Sequence, residues 1–133
     1  MIRLTTDKTF APAQLERLFL SVGWSSGQYP DKLVVAMANS HSVISAWDGD
    51  QLVGLINVLS DGIMTAYIHY LLVMPEYQGQ GLGRRLLSQV LEQYQDFARK
   101  VLIAYNAEVG FYQHLGFVAH GDKTPMFVTQ LTT

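Results

Sequence analysis

The spacing of hydrophobic positions changes several times along the 133-residue chain, and each spacing predicts a different kind of element. Apolar residues recur at helical intervals after Ala11-Pro12 and again after Gly83. The first of these predicted helices ends before Gly23 and the second runs to about Phe97. Between them, Asp31 is placed to cap a further helix. The pattern therefore predicts two helices before the middle of the chain and one long helix after it.

The intervening apolar runs are typical of strands. Predicted strands lie at residues 2–5, 42–47, 52–59 and 63–73, and the last three form an antiparallel meander because turn residues separate them. The continuous apolar run 101–104 predicts a buried, parallel strand. After it come a short helix at 108–115 and a final antiparallel pair at 117–119 and 126–131. This order predicts a mixed α/β (α+β) fold.

Composition limits the classes of function. An apolar fraction of 49% over 133 residues is enough for one domain with its own core, and we expect residues 1–133 to form a single domain. A net charge of −2 gives no attraction to nucleic acid or an anionic membrane. The absence of cysteine excludes disulfides, thiolate catalysis and Cys-ligated zinc, and no His has metal-like partners nearby in sequence. We expect a cytoplasmic protein without metal.

The most informative segment is the glycine-rich connection between the strand ending at Val73 and the next helix. Gly79, Gly81 and Gly83 allow the backbone to approach a ligand closely and to adopt positive φ. The following helix adds unpaired N–H groups and the positive end of its dipole. Such a site binds anions, phosphate in particular. Arg84 in the first helical turn opposes the dipole, and a bound anion would explain it.

Two common phosphate motifs do not fit this segment. A P-loop requires Gly-Lys-Ser/Thr, where this chain has Gly83-Arg84. A dinucleotide fingerprint requires Gly-x-Gly-x-x-Gly with an acidic residue about 20 positions later. This chain has Gly-x-Gly-x-Gly, with Arg99 near the place of the acid, and the segment follows a meander.

A third pattern fits. Gln78-x-x-Gly81-x-Gly83 resembles the Gln/Arg-x-x-Gly-x-Gly/Ala motif of the GNAT superfamily, and residues 111–117, Phe-Tyr-Gln-His-Leu-Gly-Phe, resemble its Phe-Tyr-x-Lys-x-Gly-Phe segment. The resemblance covers about residues 42–117 and implies a mostly antiparallel central sheet with helices on both faces and a splayed parallel strand pair. It also implies acetyl-CoA as cosubstrate, held by the following residues: Leu71, Val73, Gln78, Gly79, Gln80, Gly81, Leu82, Gly83 and Arg84.

The resemblance further implies direct acetyl transfer to an amine. Tyr112 then corresponds to the general acid that protonates the leaving thiolate. His69, on the strand before the motif, is the candidate general base, with water acting alongside Tyr67 as the other possibility. Aromatic residues that could line the acceptor pocket are Trp24, Tyr29 and Tyr67. One departure is Tyr105, which stands where many members carry a cofactor-contacting Asn.

The acceptor itself is not readable from the sequence. A small-molecule amine is the expected partner, and a homodimer is possible. The alternative function is a non-catalytic acyl-CoA-binding regulatory module, which would need the segment from Gln78 to Gly83 but neither Tyr112 nor His69. The presence of both residues favours an enzyme.

Overall fold

The computed structural model describes all residues, 1–133. In chain order its elements are β1 (Ile2–Thr5), α1 (Pro12–Ser21), α2 (Pro30–Asn39), β2 (Ser42–Asp48), β3 (Gln51–Ser60), β4 (Thr65–Val73), α3 (Leu82–Gln93), β5 (Arg99–Leu102) and α4 (Val109–Gln113). Short 3-10 turns lie at Ser25–Gln28, Pro75–Tyr77 and Asn106–Glu108.

The five strands form one sheet in the order β1-β2-β3-β4-β5. The neighbours from β1 to β4 are antiparallel, and β4 and β5 are parallel because α3 carries the chain back between them. This mixed, mostly antiparallel sheet with one parallel pair confirms the predicted fold class.

Helices cover both faces of the sheet. Every residue of β3 from Leu52 to Val58 is buried, although successive side chains point to opposite faces. Both α1 and α3 pack against this strand. Their inward faces supply Leu15, Leu18 and Phe19 from α1, and Leu86, Leu87 and Val90 from α3. Each such buried side chain contributes roughly 1.5–3 kcal/mol, so this core fixes the strands that carry the site.

The parallel strands β4 and β5 separate before β4 ends. They are paired from Thr65 opposite Arg99 to Ile68 opposite Leu102, and the rest of β4 has no partner on that side. The Tyr70 and Met74 N–H groups donate towards β3, to the Asn57 Oδ1 atom at 2.8 Å and the Val53 carbonyl at 2.8 Å. Because backbone groups alternate along a strand, those of Leu71 and Val73 face the opening.

The structure corrects the start of β4 and the end of α3. The predicted strand at 63–73 begins at Thr65, because the Asp61 carboxylate accepts the N–H groups of Ile63, Met64 and Thr65 and holds them in a turn. These backbone donors lower the pKa of Asp61. The helix predicted to reach Phe97 ends at Gln93, since Tyr94 leaves helical geometry with ψ of 20°.

The prediction for the C-terminal third is wrong in two respects. The parallel strand lies at Arg99–Leu102 and is an exposed edge strand rather than a buried one. Residues 117–119 and 126–131 form no strand pair. Instead Thr133 is bound to the turn at Ser25–Gln28: its carbonyl accepts the Ser26 N–H at 3.0 Å, and its hydroxyl accepts the Ser25 N–H at 2.8 Å. A run of apolar residues in the sequence does not by itself determine which other parts of the chain will pack over it.

Candidate active site

A cleft of about 510 Å³ opens where β4 and β5 separate. This volume lies within the range of small-molecule sites. The cleft brings together the glycine-rich segment, the free edge of β4 and the helix α4. Its lining includes His69, Leu71, Val73, Gln78, Gly79, Gly81, Leu82, Gly83, Arg84 and Tyr112, together with Trp24, Tyr105, Glu108 and Phe111. Most of the residues predicted for the cofactor and catalysis therefore share one cavity.

The glycine-rich segment presents a continuous row of unpaired backbone donors. Gly79 and Gly81 have φ of 79° and 80°, the left-handed region that other residues rarely adopt. The first backbone hydrogen bond of α3 runs from the Arg85 N–H to the Gly81 carbonyl, at 3.0 Å. The N–H groups from Gly79 to Arg84 have no acceptor in the protein. Together with the positive end of the α3 dipole, they form an anion site.

Side chains fix this row of donors relative to β4. The Gln78 side-chain amide donates to the Val73 carbonyl at 2.8 Å, and the Tyr77 hydroxyl donates to the Asp48 carboxylate at 2.6 Å. That hydrogen bond to the Asp48 carboxylate raises the pKa of Tyr77. The segment is thus held at both the strand before it and the β2–β3 turn.

The cleft fits the chemistry of a CoA-type molecule, which joins phosphates to a polar but uncharged arm. The donors of residues 79–84 and the Arg84 guanidinium, which has no carboxylate partner, could hold phosphates. The free edge of β4 could pair with an amide-bearing arm as an added strand would. Leu82 is buried and offers only its N–H group, whereas Gln80 is exposed and its side chain lies outside the cleft.

His69 lines the cleft on the free part of β4. Its ring stacks on Tyr70 with centroids 4.0 Å apart and lies 5.4 Å from the ring of Tyr67. Neither ring nitrogen has a hydrogen-bond partner in the protein. Partial burial lowers the pKa of His69, although one side of the residue stays exposed. A neutral imidazole with a free nitrogen is a competent proton acceptor near neutral pH.

Tyr112 lines the same cleft from α4. Its half-buried ring packs edge-on against Phe111 and Phe117, with centroids 5.1 Å and 5.9 Å away. Its hydroxyl has no hydrogen-bond partner in the protein and is free to donate. Burial raises the pKa of Tyr112, and the negative charge of Glu108 raises it further. The phenol is therefore protonated at neutral pH.

The predicted acceptor aromatics are separated by the fold. Trp24 lines the cleft, and its ring lies 6.1 Å from Tyr70 and 6.4 Å from Tyr105. Tyr67 contacts His69 but does not line the cleft. Tyr29 lies on a second cavity of about 670 Å³, between α2 and residues 128–131. Sequence analysis missed Tyr105 and Glu108 as cleft residues; the unusual Tyr seven positions before Tyr112 was the available signal.

Comparison with known proteins assigns the family. The family model of the acetyltransferase (GNAT) domain matches residues 14–126. The chain belongs to the GNAT acetyltransferase family. Its relatives include two proteins named uncharacterized N-acetyltransferase ycf52. The one from Gracilaria tenuistipitata var. liui is 35% identical over 81% of this chain. The one from Pyropia yezoensis is 32% identical over 91% of it.

A solved GNAT-family acetyltransferase from Streptococcus pneumoniae has the same fold as this chain. It superposes with a TM-score of 0.83 at 27% identity, covering 98% of this chain and 99% of the other. The predicted family is thereby confirmed, and the relatives in it are named N-acetyltransferases. This GNAT chain spans 62% of the Gracilaria relative and 72% of the Pyropia relative. None of its helices is long and apolar enough to cross a bilayer.

Proposed function

We propose that this GNAT chain transfers the acetyl group of acetyl-CoA to a primary amine. The observation that carries the proposal is a juxtaposition within one cleft: an anion-binding row of N–H groups adjoins the free edge of β4, where His69 and Tyr112 also lie. An anion site alone would suit many ligands. A base, an acid and a free strand edge beside it suit group transfer from a phosphate-bearing carrier to an amine.

Acetyl-CoA supplies the acetyl group in an activated form, as a thioester. In the proposal, residues 79–84 bind its phosphates through backbone N–H groups. Leu71 and Val73 contribute backbone groups of the free β4 edge, while Gln78 positions the loop through its bond to Val73. The Val73 carbonyl is already bonded to Gln78, so Val73 offers its N–H group.

His69 takes the proton that the amine must lose. An alkylammonium has a pKa near 10, so only about 0.1% of it is neutral at pH 7. A base inside the cleft removes this limitation by accepting the proton as the amine attacks. The lowered pKa of His69, caused by its partial burial, keeps the ring neutral and able to accept. Water beside Tyr67 is the other possible acceptor.

Tyr112 supplies the proton to the departing sulfur. A thiol has a pKa near 8.5, so the thiolate is a better leaving group when a donor is beside it. The Tyr112 hydroxyl is protonated, unpaired and on the cleft wall, because burial raises its pKa and no protein group accepts from it. These properties support its role as general acid.

A thiol-release assay tests the proposed function. Acetyl-CoA is incubated with the protein and a panel of amines, and free thiol is measured together with the mass of the acetylated product. We expect amine-dependent thiol release and, in one or more amines, a mass increase that corresponds to one added acetyl group. Tight acetyl-CoA binding without turnover of any amine would instead support the non-catalytic acyl-CoA-binding module.

The proposal extends to the assembly and the domain. We propose that residues 1–133 act as one domain and that two copies associate through the open edge of β5. Val101 in β5 is 39% exposed, and Ile103, directly after the strand, is 46% exposed. A second copy would pair with this open strand edge and cover Val101. Sedimentation equilibrium tests the dimer; a monomer at all concentrations would contradict it.

The cytoplasmic location of the protein stays a prediction.

A further inference from the structure

A β-bulge interrupts β4 where the strand passes the cleft. Asn57 of β3 pairs with Tyr70. The next residue of β3, Val58, pairs with Ile68, so His69 is an extra residue in β4. Paired residues of neighbouring strands share a face of the sheet, whereas successive residues of β3 point to opposite faces. Ile68 and Tyr70 therefore lie on opposite faces, although residues two apart in a regular strand share one.

This change of face brings three rings of β4 together. Tyr67 pairs with Leu59, which lies on the same face of β3 as Asn57. Tyr70 joins that face after the bulge, and its ring stacks on the ring of His69 with centroids 4.0 Å apart. The ring of Tyr67 lies 5.4 Å from the ring of His69. Because neighbouring side chains of a regular strand point apart, the stacking of His69 on Tyr70 depends on the bulge.

The side chain of Asn57 holds the bulge from within the core. Asn57 is 1% exposed, and its Oδ1 atom accepts the Tyr70 N–H at 2.8 Å. Its Nδ2 group donates to the Ser40 Oγ atom at 3.1 Å, and the Ser40 hydroxyl donates to the Ala36 carbonyl at 2.8 Å. A buried amide costs free energy unless its polar atoms are bonded, and here both the oxygen and the nitrogen are. These hydrogen bonds connect the end of α2 to the bulge of β4.

The bulge also sets which backbone groups of β4 reach the cleft. The Tyr70 N–H points towards β3, so the alternating groups of Leu71 and Val73 face the opening. A strand without the extra residue would be displaced by one position after Ile68. A displacement of one residue exchanges the two faces of a strand and the two sets of backbone groups. The free edge of β4 would then present different N–H groups to a ligand.

We propose that Asn57 is a positioning residue for the proposed acetyl transfer. Its hydrogen bond to the Tyr70 N–H maintains the bulge. The bulge places the His69 ring on Tyr70 and sets which backbone groups of β4 face the cleft. This inference rests on the proposed function, in which His69 is the base and the β4 edge receives the arm of acetyl-CoA. Asn57 does not line the cleft and acts only through its neighbours.

Titration of the His69 ring by nuclear magnetic resonance tests the inference without turnover. Burial lowers the pKa of His69. Asn57→Leu keeps a side chain of similar size and deletes the acceptor, so the His69 ring should leave Tyr70 and titrate closer to its ordinary value of 6.5. Asn57→Val makes the same deletion with a β-branched residue suited to a strand, and should give the same change. The other titratable side chains on the cleft wall are the same in every variant: Tyr77, Arg84, Tyr105, Glu108 and Tyr112.

Ser40→Ala is the matched control for the stability of the buried hydrogen bonds. It removes the acceptor of the Asn57 Nδ2 group and leaves the bond from the Tyr70 N–H to Asn57 Oδ1 in place. Both Ser40→Ala and Asn57→Leu should lower the melting temperature. Only Asn57→Leu should change the titration midpoint of His69, because only this variant releases the bulge.

CoA binding and turnover give the second readout. In Asn57→Leu the Kd for CoA should rise and kcat for amine acetylation should fall at least about tenfold, since a misplacement of about 1 Å can cost about 10²-fold. Ser40→Ala should stay within about twofold of the parent protein in both. If the parent acetylates no amine, but the His69 midpoint and the Kd change as expected, the proposed function fails and the role of Asn57 in placing His69 is supported.

Three results would overturn the inference. The first is a parent midpoint or a parent kcat in folded Asn57→Leu. The second is an equal change of the His69 midpoint in Ser40→Ala. The third is failure of both Asn57→Leu and Asn57→Val to fold while Ser40→Ala folds, which would make Asn57 a residue of the core alone.

Discussion

The Gln78 side-chain amide donates to the carbonyl oxygen of Val73 at 2.8 Å, which ties the glycine-rich loop to the last residue of β4. One end of this bond is on the strand whose free edge faces the cleft, and the other is at the start of the row of unpaired N–H groups. The bond therefore sets the position of the anion site relative to the strand edge.

Loss of that bond should weaken cofactor binding more than it weakens the fold. In Gln78→Ala we expect the Kd for CoA, measured by calorimetry, to rise about three- to tenfold, because a single hydrogen bond contributes about 0.5–1.5 kcal/mol. Gln89→Ala on the exposed face of α3 is the control and should retain the parent Kd. Equal affinities for the two variants would show that Gln78 has no positioning role.

Gly83 provides a test in which stability and binding change in opposite directions. A Cβ there would meet Phe111 at 3.8 Å and Val73 at 3.9 Å, which is ordinary contact, and the residue lies inside α3. Gly83→Ala should therefore maintain the melting temperature or raise it, since Ala is favoured over Gly in a helix by about 0.5–1 kcal/mol. The Kd for CoA should nevertheless rise, because the methyl group narrows the approach to the N–H groups.

Gly81 gives the complementary result. Its φ of 80° strains any other residue, so Gly81→Ala should lower the free energy of unfolding by about 1 kcal/mol and also weaken CoA binding. Gly49→Ala, with φ of 59° in the β2–β3 turn, is the control for strain alone. It should lose similar stability and keep the parent Kd. Equal effects of both variants on the Kd for CoA would show that Gly81 is needed only for the geometry of the turn.

The lowered pKa of His69 predicts two pH dependences. As the base, His69 should make kcat/KM rise with pH through a midpoint below the ordinary value of 6.5, since burial lowers its pKa. His69→Gln should remove this rise of kcat/KM with pH, whereas His120→Gln, in an exposed loop, should retain it. An unchanged profile in His69→Gln would place the base elsewhere.

Stability should depend on the same group. Because the folded state favours the neutral His69 ring, the unfolded chain binds more protons than the folded chain at pH values between the folded-state pKa of His69 and 6.5. The contribution of His69 to the free energy of unfolding is therefore complete above pH 6.5 and is lost as the pH falls through that window. Urea unfolding at a series of pH values should show a smaller acid loss in His69→Gln than in the parent protein.

Tyr112→Phe tests the general acid. The substitution keeps the ring that packs on Phe111 and Phe117 and deletes only the hydroxyl, so the melting temperature should change little. General acids contribute about 10²–10⁴-fold, and we expect kcat to fall at least tenfold with an unchanged Kd for acetyl-CoA. Tyr29→Phe, outside the cleft, is the control. A parent kcat in Tyr112→Phe, under conditions where chemistry limits, would make Tyr112 a packing residue.

The sequence by itself determined the antiparallel meander of β2, β3 and β4, the helix α3 and the loop between β4 and α3. These parts have local signals: strict turn residues between the strands, helical spacing after Gly83, and glycines where φ must be positive. The motif of Gln78, Gly81 and Gly83 and the residues at 111–117 were sufficient to predict the family. Such signals can be read from the sequence because each concerns residues close together in the chain.

Only the tertiary structure decided the parts that depend on distant contacts. The exposed edge of β5 and the absence of the final strand pair follow from what lies beside those residues, which apolar runs do not encode. Tyr29 and Trp24 are five positions apart in the chain, yet they face different cavities, because the turn at Ser25–Gln28 separates them. Tyr105 lines the cleft beside Trp24, whose ring centroid is 6.4 Å away, although the two residues are far apart in the chain.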